Sequence, residues 1–337
     1  IGFDINSKRI KELINGIDIK NEISEEDLIN NEDILFTNDV KKLNDLDVYI
    51  VTVPTPITSR KIPDLKMIKD ASILLNKLLI NRKSSVKPIF IYESTVYPGA
   101  TEEVCIPIIK KDTNLVLNKD FFCAYSPERI NPGDKDHRLK DIMKVTSGSD
   151  SLSSEWVNNF YGSIISAGTF KAKSIKVAEA AKIIENTQRD INIALMNELS
   201  MIFNLMSIDT LDVLEAAGTK WNFLNFKPGL VGGHCIGVDP YYLKWKAEKL
   251  GHKPDIIFAG RKVNEMMHVF LTKLIKDALK NKFENKKILI LGYTFKENCP
   301  DIRNTKIYDL FKSLSSMRLN IKIYDPVADF EPAPENI

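Results

Sequence analysis

Two short apolar runs restrict what this chain can fold into more than anything else in it: VYIVTV at Val48–Val53, and Ile89–Ile91 leading into Tyr92–Thr95. Each is a continuous block of strand-forming residues, without the alternation of a half-solvated strand. Such strands are buried on both faces, as in a parallel sheet covered by helices, and helix-like segments lie between the runs. In open sheets of this class a ligand lies beyond the carboxyl ends of the strands. The loops Pro54–Pro56, Ser94–Gly99 and Ser126–Pro132 fall at such ends and are the expected binding loops. IGFDIN at the start reads as the end of another buried strand, with Asp4 at its carboxyl tip. In dinucleotide-binding folds an acid there meets the adenosine ribose, about 20 residues after a glycine-rich turn. No such turn precedes Asp4, so the first strand, that turn and most of the first helix are expected to lie outside this sequence. The alternative is that Asp4 merely ends an edge strand.

From about Lys173 to Leu205 the pattern is helical and longer than a typical globular helix. Its apolar positions run around much of the circumference, which predicts burial against both flanking domains and a second subunit. Thr210–Ala217 reads as a further helix with Gly218 as its C-cap. The aromatic-rich AGTKWNFLNFKP follows, and Asp255–Lys282 is again helical. KKILILGYTF (Lys286–Phe295), a helix at Lys306–Ser315 and a strand at Ile321–Pro326 then form a second Rossmann-like unit, expected to be cut short at Ile337. The Pro-rich DPVADFEPAPENI is the one disorder-prone stretch. The expected fold is α/β: two Rossmann-like, doubly wound parallel-sheet domains, at 1–170 and 283–337, joined by a central helical domain at 171–282 with one long helix.

A length of 337 residues suits two or three domains, and a net charge of +2 gives no reason to expect a nucleic-acid partner. The four cysteines, Cys105, Cys123, Cys235 and Cys299, form no CxxC pair, and with four scattered histidines there is no zinc-ligand spacing. No metal is expected. Few cysteines fit a reducing cytoplasm. No apolar run nears the roughly 20 residues that span a bilayer, and no signal peptide opens the chain. A soluble cytoplasmic protein is expected.

The segment KPGLVGGHCIGVDPYYL (Lys227–Leu243) places Cys235 after a Gly-Gly pair and four residues before Asp239. Glycines permit positive φ and let backbone amides approach a ligand. A thiol on such a turn, beside His234 and near a carboxylate, has the setting of an activated nucleophile. The plain alternative is a glycine turn with a small buried cysteine. Three further motifs bear on the choice: ESTVYPGAT (Glu93–Thr101), YSPERINPGD (Tyr125–Asp134) and GYTFKENCPDIRNT (Gly292–Thr305). With the cysteine segment and VAEAAKIIENTQRDINIALMNELS (Val177–Ser200), and in that family's order, they resemble the UDP-glucose/GDP-mannose dehydrogenase family. ENTQRDINIAL, AGTKWNF and GGHCIGVDPYYL look most like its UDP-N-acetylgalactosamine and UDP-N-acetylglucosamine 6-dehydrogenases, of the capsule and O-antigen type.

The resemblance implies an NAD-dependent oxidation of a primary alcohol to a carboxylate, with two hydride transfers and one water. A bare aldehyde has no alkoxide to expel the second hydride, so a thiolate must add first; the thiohemiacetal then becomes a thioester, which water opens. Cys235 matches the family's nucleophile, Lys182 the cation on the oxyanion, and Asp239 the aspartate that positions water. Asn186, at i+4 from Lys182, points at the same site. Thr95 and Glu128 match the pair that orders water and moves protons; otherwise Glu128 caps its own turn. Asp4 and Arg9 match the ribose side of NAD, Pro54 and Thr55 its adenosine side, and Thr95 its nicotinamide. Lys296 and Arg303 match basic residues meeting substrate and pyrophosphate. Asp4 in place of an Arg-rich loop favours NAD over NADP. Phe223 and Leu224 would cover the sugar, and Gly232 and Gly233 would offer amides. In the family a basic residue arrives from the partner subunit of a homodimer, and Lys220 and Arg261 are the candidates. UDP-glucose and UDP-ManNAc remain alternative substrates. Other readings are a catalytically silent nucleotide-sugar binder and a two-electron hydroxyacid dehydrogenase, which would have no use for the GGHC turn.

Overall fold

The computed structural model describes residues 1–19, 23, 25–30, 33–131, 133–134, 136–280, 282–283, 286–317 and 319–328. The chain divides into two compact units, one of Ile1–Thr55 with Asp64–Lys182, the other of Pro56–Pro63 with Ile183–Ile337. No helix among the described residues is long and apolar enough to cross a membrane. Most of the Pro-rich end lies outside them.

In the first unit β1 (Gly2–Phe3), α1 (Ser7–Ile14), α2 (Glu25–Ile29) and β2 (Phe36–Thr37) come first, with β1 and β2 paired in parallel. Asn6 starts α1 by accepting from the Lys8 and Arg9 N–H groups. Asp4 therefore stands between strand end and helix start. A five-stranded sheet follows in the order β3-β4-β5-β6-β7: β3 (Val48–Val51), β4 (Ile89–Tyr92), β5 (Phe122–Tyr125), β6 (Lys144–Gly148) and β7 (Thr169–Lys171). Helix α3 (Lys66–Ile80) links β3 to β4, and α4 (Ile106–Lys110), preceded by a π-helical turn, links β4 to β5. These crossovers return the chain to the same edge, so β3, β4 and β5 run parallel. Of the two apolar runs predicted as doubly buried strands, the second is β4, whose four residues are all buried; the first is β3, which ends this sheet and leaves Ile50 44% exposed, so it is covered on one face only.

The sheet is parallel at three of its four pairings, in keeping with the expected parallel-sheet fold, and β6 alone runs antiparallel to β5. The reason lies in the connection, which holds no α-helix among its described residues. Without a crossover the chain re-enters from the end it left. Helix α5 (Ser151–Gly162) then packs Val157 and Tyr161 on Ile89, Ile91 and Ala124 of the sheet.

Helix α6 (Ile175–Leu205) is the predicted long helix, 31 residues running from the first unit into the second. The second unit continues with α7 (Thr210–Gly218), α8 (Asp239–Lys249), α9 (Asp255–Ala278), β8 (Lys287–Leu291), α10 (Lys306–Ser315) and β9 (Asn320–Tyr324). Strands β8 and β9 pair in parallel over a core of Leu310, Leu314 and Leu319, with Leu271 and Ile275 of α9 against it. Gly218, expected as the C-cap, is the last helical residue of α7, and Thr219 caps one position later in the right-handed region at φ −68°. Asn225 crowds the position, with its side-chain oxygen 2.9 Å from where a Cβ would stand.

Candidate active site

The cysteine turn is built by packing on two neighbours within the second unit. At its start Asn197 of α6 grips Gly229 by both backbone groups, accepting from its N–H at 2.8 Å and donating to its carbonyl at 2.9 Å. At its bend Gly233 has φ +82°, and a Cβ on it would meet the Phe295 ring at 2.7 Å. A Cβ on Gly232 would lie 2.9 Å from the Phe295 Cβ and 3.0 Å from the Asn304 carbonyl. The Gly-Gly pair is thus demanded by the close approach of the segment carrying Phe295, and at Gly233 also by the backbone conformation.

Past the bend, the Cys235 carbonyl accepts from Val238 N–H at 3.0 Å and Asp239 N–H at 2.8 Å. That tight turn puts the cysteine over the start of α8, whose first residue is Asp239, followed by Pro240. Asp239 is only 3% exposed. Its Oδ2 accepts from Asn186 Nδ2 at 2.6 Å, tying it to α6. Cys235, Asp239 and Asn186, three of the predicted catalytic residues, are therefore assembled. Lys182, one turn before Asn186, is 8% exposed and so not a surface lysine.

His234 was read only as a neighbour of the thiol, and the structure gives it partners. Its Nδ1 lies 3.4 Å from Asp301 Oδ2 and 3.3 Å from Arg303 Nη2. The Asp301 carboxylate and the contact with Cys235 hold the imidazole up at about 9, so positive charge stands beside the sulfur at neutral pH. Asp301 lies well below the usual carboxylate range; burial opposes this, and His234 and Arg303 outweigh it. Arg303 donates to both oxygens of Asp301. Lys296 is half-buried in the same segment. The PDIR spacing was the available signal for this cluster, since an acid two residues before an arginine can chelate it.

Of the sugar-side candidates, Phe223 is half-buried while Leu224 and Lys220 are exposed. A cavity of about 390 Å³ is lined by Gly232, Gly233, Lys61, Arg261 and Lys306. Arg261, which lines this cavity, is 2% exposed and gives Nη1 to Asp190 and Nη2 to Glu265, each at 2.6 Å, so its guanidinium is engaged by two carboxylates of its own chain.

The cofactor-side residues belong to the first unit. Thr55 Oγ1 donates to the Thr95 carbonyl at 2.6 Å, joining the loops beyond β3 and β4 at adjacent carboxyl ends. Pro54 is exposed beside it. Glu179 of α6 holds the second loop from below, accepting from the Gly99 N–H and from Thr101 N–H at 2.9 Å; burial pushes its carboxyl up to about 7. Asp4 is exposed and accepts from Asn6 N–H at 2.8 Å. Arg9 gives Nη2 to Asp18 at 2.7 Å, while its buried Nη1 has no partner among the described residues. An exposed acid, an orphaned guanidinium nitrogen and two tied loops at strand ends fit the ribose, phosphate and nicotinamide parts of NAD. Glu128 accepts from Ile130 N–H through one oxygen, the capping role, and its other oxygen lies 3.9 Å from Lys144 Nζ.

Comparison with known proteins agrees along the whole chain. Residues 1–165 match the NAD binding domain of the UDP-glucose/GDP-mannose dehydrogenase family, 176–266 its central domain and 289–336 its UDP binding domain. A UDP-N-acetyl-D-glucosamine 6-dehydrogenase of Salmonella typhi is 54% identical over 334 residues, 98% of this chain and 77% of that protein. One from Pseudomonas aeruginosa is 53% identical, covering 99% of this chain and 78% of that protein. The solved UDP-D-ManNAc dehydrogenase of Pyrococcus horikoshii superposes with a TM-score of 0.86 at 27% identity, over 97% of this chain and 78% of that one. On motifs, fold and relatives together, the chain belongs to the UDP-glucose/GDP-mannose dehydrogenase family.

Proposed function

We propose that this protein oxidises the C6 hydroxyl of a UDP-N-acetylhexosamine to the uronic acid for surface polysaccharide biosynthesis, capsule or O-antigen. Membership of the family makes it an NAD-dependent oxidoreductase. Between UDP-GalNAc and UDP-GlcNAc, relatives at 53–54% identity named for the latter favour UDP-GlcNAc. The single observation that carries the reading is the joined set at the cysteine turn, Cys235 over Asp239 with Asn186 bonded to it at 2.6 Å.

NAD, when bound, accepts the hydride of each oxidation. Asp4, Arg9, Pro54, Thr55 and Thr95 would hold it, with Arg303 at the pyrophosphate. The sulfur of Cys235 adds to the aldehyde, and the imidazolium of His234 offsets the thiolate's charge. Lys182 stabilises the oxyanion that addition creates. Asp239, oriented by Asn186, positions the water that opens the thioester, and Glu128 with Thr95 takes up its proton. Phe223, Leu224, Gly232, Gly233 and Lys296 contact the UDP-sugar, and Lys220 is the cation offered to a partner subunit. We further place the NAD-binding part at 1–170, the central part at 171–282 and the UDP-binding part at 283–337, in a cytoplasmic homodimer formed through α6.

The test is the yield of NADH per sugar with excess NAD and limiting UDP-GlcNAc, UDP-GalNAc, UDP-ManNAc or UDP-glucose. Two NADH per UDP-GlcNAc is the expected outcome, with acid formation lost in Cys235→Ala. One NADH per sugar, or an active Cys235→Ala enzyme, sinks the cysteine mechanism.

A further inference from the structure

A buried charged cluster lies under the SPER loop of the first unit, and the reaction as assigned uses only one of its members. Strands β5 and β6 pair Ala124 with Gly148 and Tyr125 with Ser147. The ladder ends there, and Glu128 stands in the loop that follows β5, while Lys144 opens β6. Lys144 is 3% exposed, and its ammonium donates to Glu93 Oε2 at 2.7 Å. The other Glu93 oxygen takes the hydroxyl of Tyr161, whose ring also lies 5.0 Å from the ammonium. Glu128 joins this set from the loop: its N–H donates to the Glu93 carbonyl at 3.4 Å, and its Oε2 is 3.9 Å from Lys144 Nζ. Arg129, the other charged group of the loop, gives its guanidinium to the Met143 carbonyl at 2.7 Å.

We propose that Lys144 is a positioning residue for the Glu128 carboxylate, with Glu93 and Tyr161 fixing its ammonium. The inference rests on the proton-handling role proposed for Glu128. Stability alone does not account for the cluster, because a buried ion pair can be replaced by apolar residues at little cost. An ammonium has three protons, and Glu93 takes one. The fixed charge lies 3.9 Å from one Glu128 oxygen, an ion-pair and not a hydrogen-bond distance, while Ile130 N–H donates to the other. Together they bias the carboxylate toward the cluster, although its side chain is 44% exposed.

Two variants separate this role from a structural one. Glu93→Gln keeps the ammonium, whereas Glu93→Gln with Lys144→Met removes it without leaving a buried charge unpaired. Melting temperature, kcat and KM are measured on both with UDP-N-acetylglucosamine and NAD. Glu93→Gln is expected to hold kcat within about threefold, and the double variant to lose about tenfold more with KM unchanged, as for removing one fixed opposite charge near a partly buried carboxylate. If the Met variant does not fold, Lys144→Gln in the same background carries the same expectation. Equal kcat in single and double variants, or a loss appearing in KM alone, overturns the proposal. Glu128→Gln is the control. If it is slow while the double variant is not, only the role of Lys144 falls; if it turns over normally, the role given to Glu128 falls and this one with it.

Discussion

At Gly233 the backbone φ is +82°, and the Phe295 ring fills the space a side chain would take. Gly233→Ala must pay both for the left-handed conformation, about 1–2 kcal/mol, and for displacing that ring. We expect it to lower the melting temperature and displace Cys235, with Phe295→Leu restoring part of the stability but not the activity. Asn186 poses a different question, because its amide meets a buried carboxylate at 2.6 Å. Hydrogen bonds to charged groups contribute about 1.5–3 kcal/mol. Asn186→Ala should therefore cost about 10- to 100-fold in kcat while circular dichroism shows the fold intact, and an unchanged kcat would remove Asn186 from the site. The neighbouring His234 makes pH informative. Its folded value, raised from 6.5 to about 9, means the folded protein binds the proton more tightly than the unfolded chain. The stability it adds is fully present below pH 6.5 and lost as pH rises through 9. The melting temperature should fall over that window in the wild type and fall less in His234→Gln; parallel curves would show that the Asp301 contact adds nothing.

Elements that could be read from the sequence were those whose signal is local. The run at Ile89–Ile91 became the fully buried β4, and Lys306–Ser315 became α10 to the residue, because Thr305 caps it from within the same segment. What could not be read depended on partners distant in the chain. Nothing near Lys144 says that it will stand against Glu93, and an Asn within an apolar helix gives no hint that Asn197 will grip Gly229. Arg261 shows the same dependence: nothing near it in the chain indicates that α9 packs on α6 and brings Asp190 to it. That pair makes a prediction at this scale. Asp190 is completely buried, and Asn264 also donates to it at 2.7 Å. Arg261→Leu would leave its charge uncompensated, at a cost of about 3–5 kcal/mol. Chemical denaturation should show that loss, and adding Asp190→Asn should recover most of it. A single variant as stable as wild type would mean that Asp190 takes up a proton readily once alone.

For the whole molecule the decisive feature is a stripe along α6 that the chain itself leaves uncovered. Ile184, Leu195 and Ile202 are 54%, 49% and 44% exposed, spaced by eleven and seven residues. At 3.6 residues per turn those steps return to nearly the same face of a helix, so the three form one ridge. Beside the ridge, Ile184, Ile191, Leu243 and Ile256 line a groove between helices. Gln188 and Glu198 interrupt that face, but three exposed apolar residues in line beside an apolar groove are the surface the proposed dimer would use. A second copy could offer the same ridge to this groove, as a two-fold contact requires. The charged variant Ile184→Glu places a carboxylate where ridge and groove meet, and burying that charge without a partner would cost more than the contact returns. Light scattering should then report a dimer for the wild type and a monomer for Ile184→Glu at micromolar concentration. The proposed dependence on a partner's Lys220 ties this to chemistry: the monomer should keep its fold by circular dichroism yet lose turnover. Turnover persisting in a true monomer would show that each chain completes its own site, and Lys220 would lose its proposed role.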